Sequence, residues 1–209
     1  MKRRKQGLNG FTLVELSIVL VIIGLIIGGV LSGKQILTNA KVTNAINATQ
    51  AYEAQFQTYM QNYGALPGDD ANASTRFSKY PTVSAGNSLG DGVLTGTFDS
   101  STENAETRLA WAGLRAAELI KGSGDNQDQP INPFGGIYGF QHGAFNSAIT
   151  TNVLCLSDVP GDSALSIDTR LDDGDRTSGA IMAGDNATDA LDDGSDYVIS
   201  TSYTLCTKL

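Results

Sequence analysis

The stretch Phe11-Thr12-Leu13-Val14-Glu15-Leu16 opens an apolar run that continues to Gly33, and this run decides the fold of the chain. Glu15 is the only charged residue among the 23 residues from Phe11 to Gly33. A helix of about 20 predominantly apolar residues is long enough to cross a bilayer. The basic cluster Lys2-Arg3-Arg4-Lys5 precedes the run, and such clusters favour the cytoplasmic side of a membrane. The sequence therefore predicts one membrane-spanning helix, with the rest of the chain outside the cytoplasm.

Three interpretations compete for this segment. A secretory signal peptide also combines a basic start with an apolar stretch, but it normally ends in a small-residue cleavage site, and none is evident here. A plain membrane anchor leaves Glu15 unexplained, because an ionised carboxylate inside a spanning helix costs roughly 2.5–3.5 kcal/mol on insertion scales. Acids within a membrane usually have a partner and a function. The position of Glu15 therefore favours a third interpretation, in which the segment is retained and assembles.

The motif Gly10-Phe11-Thr12-Leu13-Val14-Glu15-Leu16 resembles the prepilin cleavage motif of the type IV pilin and type II secretion pseudopilin family. The resemblance implies that residues 1–10 are a leader, which a prepilin peptidase and N-methyltransferase removes after Gly10 before it methylates Phe11. It also implies that Glu15 pairs with the terminal amine of a neighbouring subunit. Residues 11–33 would then span the membrane and later form the filament core.

The same resemblance implies the partners and the location of the chain. The partners would be other pilin subunits and an inner-membrane assembly platform, in addition to the processing enzyme. The chain would lie in a bacterial inner membrane as a single-pass protein with its C-terminal head outside the cytoplasm. It would then pass into a periplasmic or surface filament.

The helical pattern continues beyond the apolar run. No Pro or Gly interrupts residues 34–62, and apolar or aromatic residues recur there at spacings of three and four, which is typical of an amphipathic helix. We therefore predict one helix from about Thr12 to Asn62, with residues 34–62 as its amphipathic half. Gly64 and Pro67 are typical of a helix end. The aromatic stripe is expected to pack on a head formed by residues 63–209, and it consists of Val42, Ala45, Ile46, Thr49, Tyr52, Phe56, Tyr59 and Tyr63.

The head is expected to combine a helix with short strands. Ser100 and Glu103 match a capping box, and an apolar stripe follows, which predicts a second helix at about 102–121. Short strand-like runs separated by Gly, Asp and Asn favour an antiparallel meander, with candidate strands at 137–140, 152–157, 166–168, 179–183 and 197–207. The pilin resemblance implies the same architecture. The expected fold class is therefore α+β, with a long N-terminal helix packed on a C-terminal head that contains an antiparallel sheet.

The chain is acidic, and part of its negative charge is concentrated in two Asp-rich segments. The chain has 22 Asp and Glu residues against 14 Lys and Arg residues, a formal net charge of −8, which argues against a general nucleic-acid-binding surface. Two near-repeats, 171–175 and 191–196, are rich in Asp, and carboxylate oxygens are the ligands that Ca²⁺ prefers. Neither repeat fits an EF-hand. Two interpretations stay open, a Ca²⁺-binding loop of another type and solvated turns, and we prefer the turns. The residues concerned are Asp172, Asp173, Asp175, Asp192, Asp193 and Asp196.

The two cysteines are expected to form one disulfide. Cys155 and Cys206 both lie in candidate strands, and the predicted topology places them outside the cytoplasm, where disulfides persist. The resemblance supports this bridge, because many type IV pilins close a C-terminal region in this way and pseudopilins usually do not. Two separately buried thiols are the alternative.

No catalytic pattern stands out in the sequence. His142 is the single histidine and has no nucleophile motif beside it, and no phosphate-binding loop or zinc-ligand spacing is present. We therefore expect a non-enzymatic structural subunit of a type IV pilus-like filament. The alternatives are a type II secretion pseudopilin with a Ca²⁺-binding head, and a monomeric, membrane-anchored binding module.

Overall fold

A computed structural model describes residues 11–83, 89–191, 194 and 196–209 of the chain. The whole expected leader, residues 1–10, and the acidic residues Asp192 and Asp193 lie outside the described residues. The fold is α+β, as expected. Its elements in chain order are α1 (Leu13–Tyr63), α2 (Ala73–Arg76), α3 (Glu106–Ala116), β1 (Tyr138–Ala144), β2 (Ile149–Pro160), α4 (Gly161–Leu171), β3 (Ile181–Gly184) and β4 (Ser202–Lys208).

The long helix α1 begins and ends within one residue of the predicted bounds. Its contacts belong to two compact units, one ending at Ala40 and the other running from Lys41 to Leu209. Within the second unit, α1 buries one stripe of side chains, as the spacing predicts: Val42, Ala45, Thr49, Phe56 and Tyr59.

Aromatic rings join α1 to the rest of the second unit. The Tyr52 ring lies edge-on to Trp111 of α3 and to Tyr138 of β1, with centroid distances of 5.0 and 5.1 Å. Phe56 contacts Phe140 at 5.0 Å, and Trp111 contacts the same Phe140 ring at 4.6 Å. Pairs in this range contribute about 0.5–1.5 kcal/mol each beyond the area they bury. The predicted aromatic stripe is therefore core, shared by α1, α3 and the sheet.

The four strands form one antiparallel sheet in the order β1-β2-β4-β3. The pairing is antiparallel throughout, as predicted, but the sheet is not a simple meander, because β4 lies between β2 and β3. The chain reaches the edge position of β3 through α4 and then returns to fill the gap. An antiparallel pattern read from short apolar runs contains no information about this order.

One predicted element is wrong, and another is longer than the observed one. The candidate strand at 166–168 lies inside α4, where Ala164, Ile167 and Asp168 are buried at helical spacing. The helix predicted at about 102–121 is shorter, since α3 spans only Glu106–Ala116. The capping box is also absent: Ser100 Oγ accepts from the Thr102 N–H. The Glu106 carboxylate instead accepts from the N–H of Thr95, in the preceding loop, at 2.7 Å.

Both edges of the sheet are closed by hydrogen bonds to neighbouring loops. At the β1 edge, the Tyr138 N–H donates to the Pro130 carbonyl at 2.8 Å and the His142 N–H donates to the Leu94 carbonyl at 3.2 Å. At the β3 edge, the Asp172 carboxylate accepts from the Ile181 N–H at 2.9 Å. The Ala183 N–H on the same edge donates to the carbonyl of Arg176 at 2.8 Å. These bonds occupy backbone groups that would otherwise template another strand.

Candidate functional site

The start of α1 is a capping box built from Thr12 and Glu15. Glu15 Oε2 accepts hydrogen bonds from the Thr12 N–H and from Thr12 Oγ1, each at 2.9 Å. In return, the Glu15 N–H donates to Thr12 Oγ1 at 3.3 Å. A threonine followed three residues later by a glutamate satisfies otherwise unpaired N–H groups of the first helical turn. The residue that the prepilin motif singles out is therefore also the residue that starts the helix.

The apolar side chains of α1 from Leu13 to Leu31 are exposed. The exposed set includes Leu13, Leu20, Leu25, Val30 and Leu31, each 65% exposed or more. By length and composition, α1 is the one helix among the described residues that is able to cross a membrane. Exposed apolar surface of this extent marks a membrane or protein contact.

The predicted disulfide is present between Cys155 of β2 and Cys206 of β4. The two residues are direct partners in the register of these neighbouring strands, with Cα atoms 4.0 Å apart. Both are fully buried, in a cluster with Phe145, Ile149 and Met182. The bridge therefore crosslinks the two interior strands at a sequence separation of 51, and the segment that it encloses contains α4 and β3.

The first Asp-rich repeat mostly bonds to its own loop. Asp172 accepts from the Ala180 and Ile181 N–H groups. Asp173 accepts from the Asp175 N–H and from Ser178 Oγ, at 2.9 and 2.7 Å. Asp175 Oδ1 accepts from the N–H and hydroxyl groups of Thr177. These carboxylates hold the α4–β3 connection in shape, which is the role expected of turn residues.

Three carboxylates of this region lie close enough together to share a cation. Oxygen atoms of Asp168, Asp172 and Asp173 all lie within 4.8 Å of one another. Of the predicted metal ligands, this group contains Asp172 and Asp173 but not Asp175 or Asp196. Sequence reasoning missed Asp168, because the residues around it were assigned to a strand. A helical assignment would have shown that Asp168, Asp172 and Asp173 fall at the same end of α4.

Asp168 is the buried member of the group. Its carboxylate accepts from Tyr197 Oη at 2.6 Å and from the Gly174 N–H at 3.3 Å. Burial raises the pKa of the Asp168 carboxyl above its usual value; the two hydrogen bonds oppose this effect, and the Asp173 and Asp172 carboxylates reinforce it. The hydrogen bond to Tyr197 ties α4 to the segment that leads into β4.

A second set of buried acids, also missed from the sequence, lies where α1 ends. Asp70 is 2% exposed and accepts from Tyr59 Oη at 2.9 Å, from the Asn72 N–H at 2.9 Å, and from Arg76. Asp69, which is 1% exposed, accepts from the N–H groups of Gly90 and Gly92. The sequence signal for these buried acids was an Asp-Asp pair directly after Pro67-Gly68. Asp side chains in such turns commonly accept hydrogen bonds from nearby backbone N–H groups.

His142 lies on β1, with Nδ1 3.1 Å from Asn152 Oδ1 on β2. It is exposed, and its contact is a cross-strand pair. This arrangement fits a structural role for the single histidine.

Comparison with known proteins agrees with the N-terminal motif. Residues 9–31 match the family model described as the prokaryotic N-terminal methylation motif. Over 104 residues, the chain is 35% identical to the type IV major pilin protein PilE of Neisseria gonorrhoeae, an alignment that covers 47% of this chain and 60% of that protein. No solved structure gives a significant match. The methylation motif, the identity to a pilin and the long helix with its four-stranded antiparallel head all agree with the resemblance to type IV pilins, and the chain spans about 60% of the length of the curated relative that it matches.

Proposed function

We propose that the chain is a structural subunit of a type IV pilus-like filament, assembled through its N-terminal helix. The observation that carries this proposal is the exposed apolar surface of α1 directly behind the Thr12–Glu15 capping box. Such a surface requires lipid before assembly and other helices after it. The similarity to a structural pilin points the same way and to a protein without enzymatic activity.

Processing would make this helix competent for assembly. Cleavage after Gly10 by a prepilin peptidase removes Lys2, Arg3, Arg4 and Lys5 and no acidic residue. The mature chain then has 22 acidic and 10 basic side chains. The basic cluster then serves as a temporary topological signal in the inner membrane. The same enzyme would methylate the new terminus at Phe11, and the head would lie outside the cytoplasm.

Glu15 would have two successive hydrogen-bonding states. Before assembly, Thr12 supplies two donors to its carboxylate, which lowers the cost of holding it within lipid. In the filament, the terminal amine of a neighbouring subunit would replace or supplement Thr12. That amine has an ordinary pKa of about 8 and is mostly protonated at neutral pH. A buried carboxylate paired with such a cation avoids the penalty of an uncompensated charge.

The runner-up is a type II secretion pseudopilin that binds Ca²⁺ in its head. The same kind of inner-membrane platform would assemble it. Asp168, Asp172 and Asp173 would be its ligands. Two observations favour the pilus subunit instead. The disulfide is a feature that the resemblance associates with type IV pilins, and the three carboxylates already accept hydrogen bonds from the protein. A monomeric, membrane-anchored binding module is a second alternative.

The intact mass of the chain purified from membranes tests the processing step. We expect a mass that lacks residues 1–10, contains one added methyl group and lacks two hydrogens because of the Cys155–Cys206 bridge. An uncleaved chain from cells with an active prepilin peptidase would contradict the proposal.

Replacement of Glu15 tests assembly. We expect Glu15→Ala to be cleaved normally yet to be absent from sheared filaments, because the terminal amine of the neighbour loses its acceptor. Glu103→Ala, which removes an exposed carboxylate from the head, is the matched control and should assemble as the wild type does. A surface function that is unaffected in Glu15→Ala would contradict assembly through Glu15 and favour the binding module over the filament subunit.

A further inference from the structure

One cavity of the head is lined by three cations, although the chain as a whole is acidic. The cavity has a volume of about 350 Å³, and its wall contains Arg76, Lys79 and Arg115. Of the 14 basic residues of the chain, four belong to the expected leader, so these three are a large share of the remaining ten. Among the described residues, Glu118 is the one carboxylate in the wall. We call this cavity the cationic pocket.

Arg115 is held rigidly in the wall of the cationic pocket. Its Nη1 and Nη2 atoms donate to the backbone carbonyls of Asn126 and Asp128, each at 2.7 Å. A Cβ on Gly122, whose φ is +132°, would come within 2.7 Å of Arg115 Cδ and 2.9 Å of Nε, so the glycine leaves room for the arginine. Burial lowers the pKa of the Arg115 guanidinium, and the Asp128 carboxylate opposes this effect. Within the part of the chain that the structure describes, no carboxylate lies within 4 Å of this guanidinium.

The other two cations differ in their partners. Arg76 pairs with Asp70, and its guanidinium carbon lies 4.6 Å from the centroid of the Tyr63 ring. Lys79 is exposed and has no carboxylate within 4 Å in the described ranges. The Asp125 carboxylate attracts Lys79 only from beyond that distance. Two of the three cations therefore lack an ion-pair partner.

The wall also contains a backbone donor without a partner. Gly124 is buried, and its N–H donates to no acceptor among the described residues. A Cβ on Gly124 would come within 2.9 Å of Ala116 Cβ and 3.4 Å of Lys79 Cβ, so a glycine lets this turn lie against both. Buried N–H groups without an acceptor are rare in folded proteins, because each one costs free energy. An acceptor bound in the pocket would satisfy this donor.

These donors suit an oxyanion with several oxygens. Guanidinium groups bind phosphate through paired N–H donors, and a lysine ammonium adds a point charge. A phosphate monoester offers three acceptor oxygens, whereas a carboxylate offers two. We propose that the cationic pocket binds a phosphate group, either the free ion or a monoester on a small ligand. This site does not depend on the proposed filament function.

Calorimetric titration of the full-length chain in a neutral detergent, with inorganic phosphate at fixed ionic strength, tests the proposal. We expect a dissociation constant on the order of 1 mM or below. Glucose 6-phosphate distinguishes the two sources of the phosphate group. Tighter binding of this monoester would identify an esterified ligand, and equal or weaker binding would identify the free ion. Failure of both probes to bind below about 10 mM would overturn the proposal.

A matched pair of lysine variants separates the pocket from the general charge of the head. We expect Lys79→Gln to weaken phosphate binding by about five- to tenfold, because it removes a cation that has no other ion-pair partner. Lys208 is exposed on β4, outside the pocket, and Lys208→Gln removes the same charge there. This control should stay within about twofold of the wild type. Equal affinities in the two variants would contradict a specific site.

Two variants of Arg115 test the geometry of the site. We expect Arg115→Gln to weaken phosphate binding by about tenfold or more, and Arg115→Lys to restore only part of this loss, because lysine keeps the charge but lacks the planar fork. Near-ultraviolet circular dichroism of the buried Trp111 checks that both variants are folded. If Arg115→Gln does not fold, the comparison of Lys79→Gln with Lys208→Gln still decides. Wild-type affinity in folded Arg115→Gln would overturn the proposal and leave the filament function intact.

Discussion

Asp70 is the residue on which the end of α1 depends. It is almost fully buried, and its carboxylate joins Tyr59 of α1, the backbone at Asn72 and the guanidinium of Arg76. Tyr59 is itself fully buried, and both burial and the hydrogen bond to Asp70 raise the pKa of its hydroxyl. The carboxylate therefore satisfies donors that have few other partners within the core.

We predict that Asp70→Ala destabilises the head by about 2–4 kcal/mol, because it leaves the buried Tyr59 hydroxyl and a partly buried arginine without their acceptor. Urea unfolding of the full-length chain in detergent, followed by near-ultraviolet circular dichroism, measures this loss. Asp99→Ala removes an exposed carboxylate and should change stability by less than about 0.5 kcal/mol. Similar losses in both variants would contradict a bridging role for Asp70.

The sequence predicted some residues correctly and missed others for a physical reason. The cysteine pair could be identified, because cysteine is a residue type with few alternatives. The assembly role of Glu15, which depends on a short motif, stays a prediction. Asp168 and Asp70 could not be identified as buried acids. Their role arises from tertiary contacts with Tyr197 and Tyr59, at sequence separations of 29 and 11. Asp-rich stretches therefore look alike in sequence whether their side chains are in water or in the core.

At the scale of elements, the close contact between the loop after α1 and the helix α3 depends on Gly68. Its φ is +93°, and a Cβ at this position would overlap the Glu106 carbonyl and approach the Ala110 nitrogen to 2.7 Å. Both obstacles belong to the backbone of α3, which cannot move aside as a side chain can. A residue without a side chain therefore lets α3 pack against the end of α1.

We predict that Gly68→Ala costs roughly 3 kcal/mol or more of folding free energy, from strain at positive φ together with steric overlap. Gly64 is the matched control, since its φ is +67° and a Cβ there would meet no other atom within 4 Å. Gly64→Ala should cost only about 1–2 kcal/mol, from backbone strain alone. Thermal unfolding of both variants checks the difference, and equal losses would mean that the contact with α3 has no energetic weight.

The elements that could be predicted are those whose periodicity extends over many residues. The helix α1 was located to within one residue at each end, because its pattern runs through 51 residues. In contrast, α4 has 11 residues and its middle was assigned to a strand. The spacing of three between the buried residues Ala164 and Ile167 fits a helix and not a strand, but two positions in so short a segment are a weak periodic signal. Local sequence also contained no information about the insertion of β4 between β2 and β3.

At the scale of the whole molecule, the stabilising core lies entirely in the second unit. All of the buried hydrophobic residues among the described positions lie at Val42 or later. The apolar residues before this point are exposed. The energy that folds the head is therefore independent of the segment that would enter the membrane or the filament core.

We predict that a chain beginning at Lys41 is soluble without detergent and contains the Cys155–Cys206 bridge. Its melting temperature should lie within about 3 °C of the full-length value, a shift of roughly 1 kcal/mol for a domain of this size. The near-ultraviolet signal of Trp111, which is fully buried, reports whether the core is intact. A fragment that stays unfolded would show that residues before Lys41 contribute to the stability of the head.

The closed sheet edges have a consequence for a protein of which many copies would lie side by side in one filament. Heads attached to a common fibre would be held at effective concentrations far above those in free solution. Such crowding favours cross-β aggregation of any protein with an open edge strand. Here the edges at β1 and β3 already bond to their own loops, through Pro130, Leu94, Arg176 and Asp172. Filament growth would therefore depend on contacts between helices, and crowded heads would not add strands to one another's sheets.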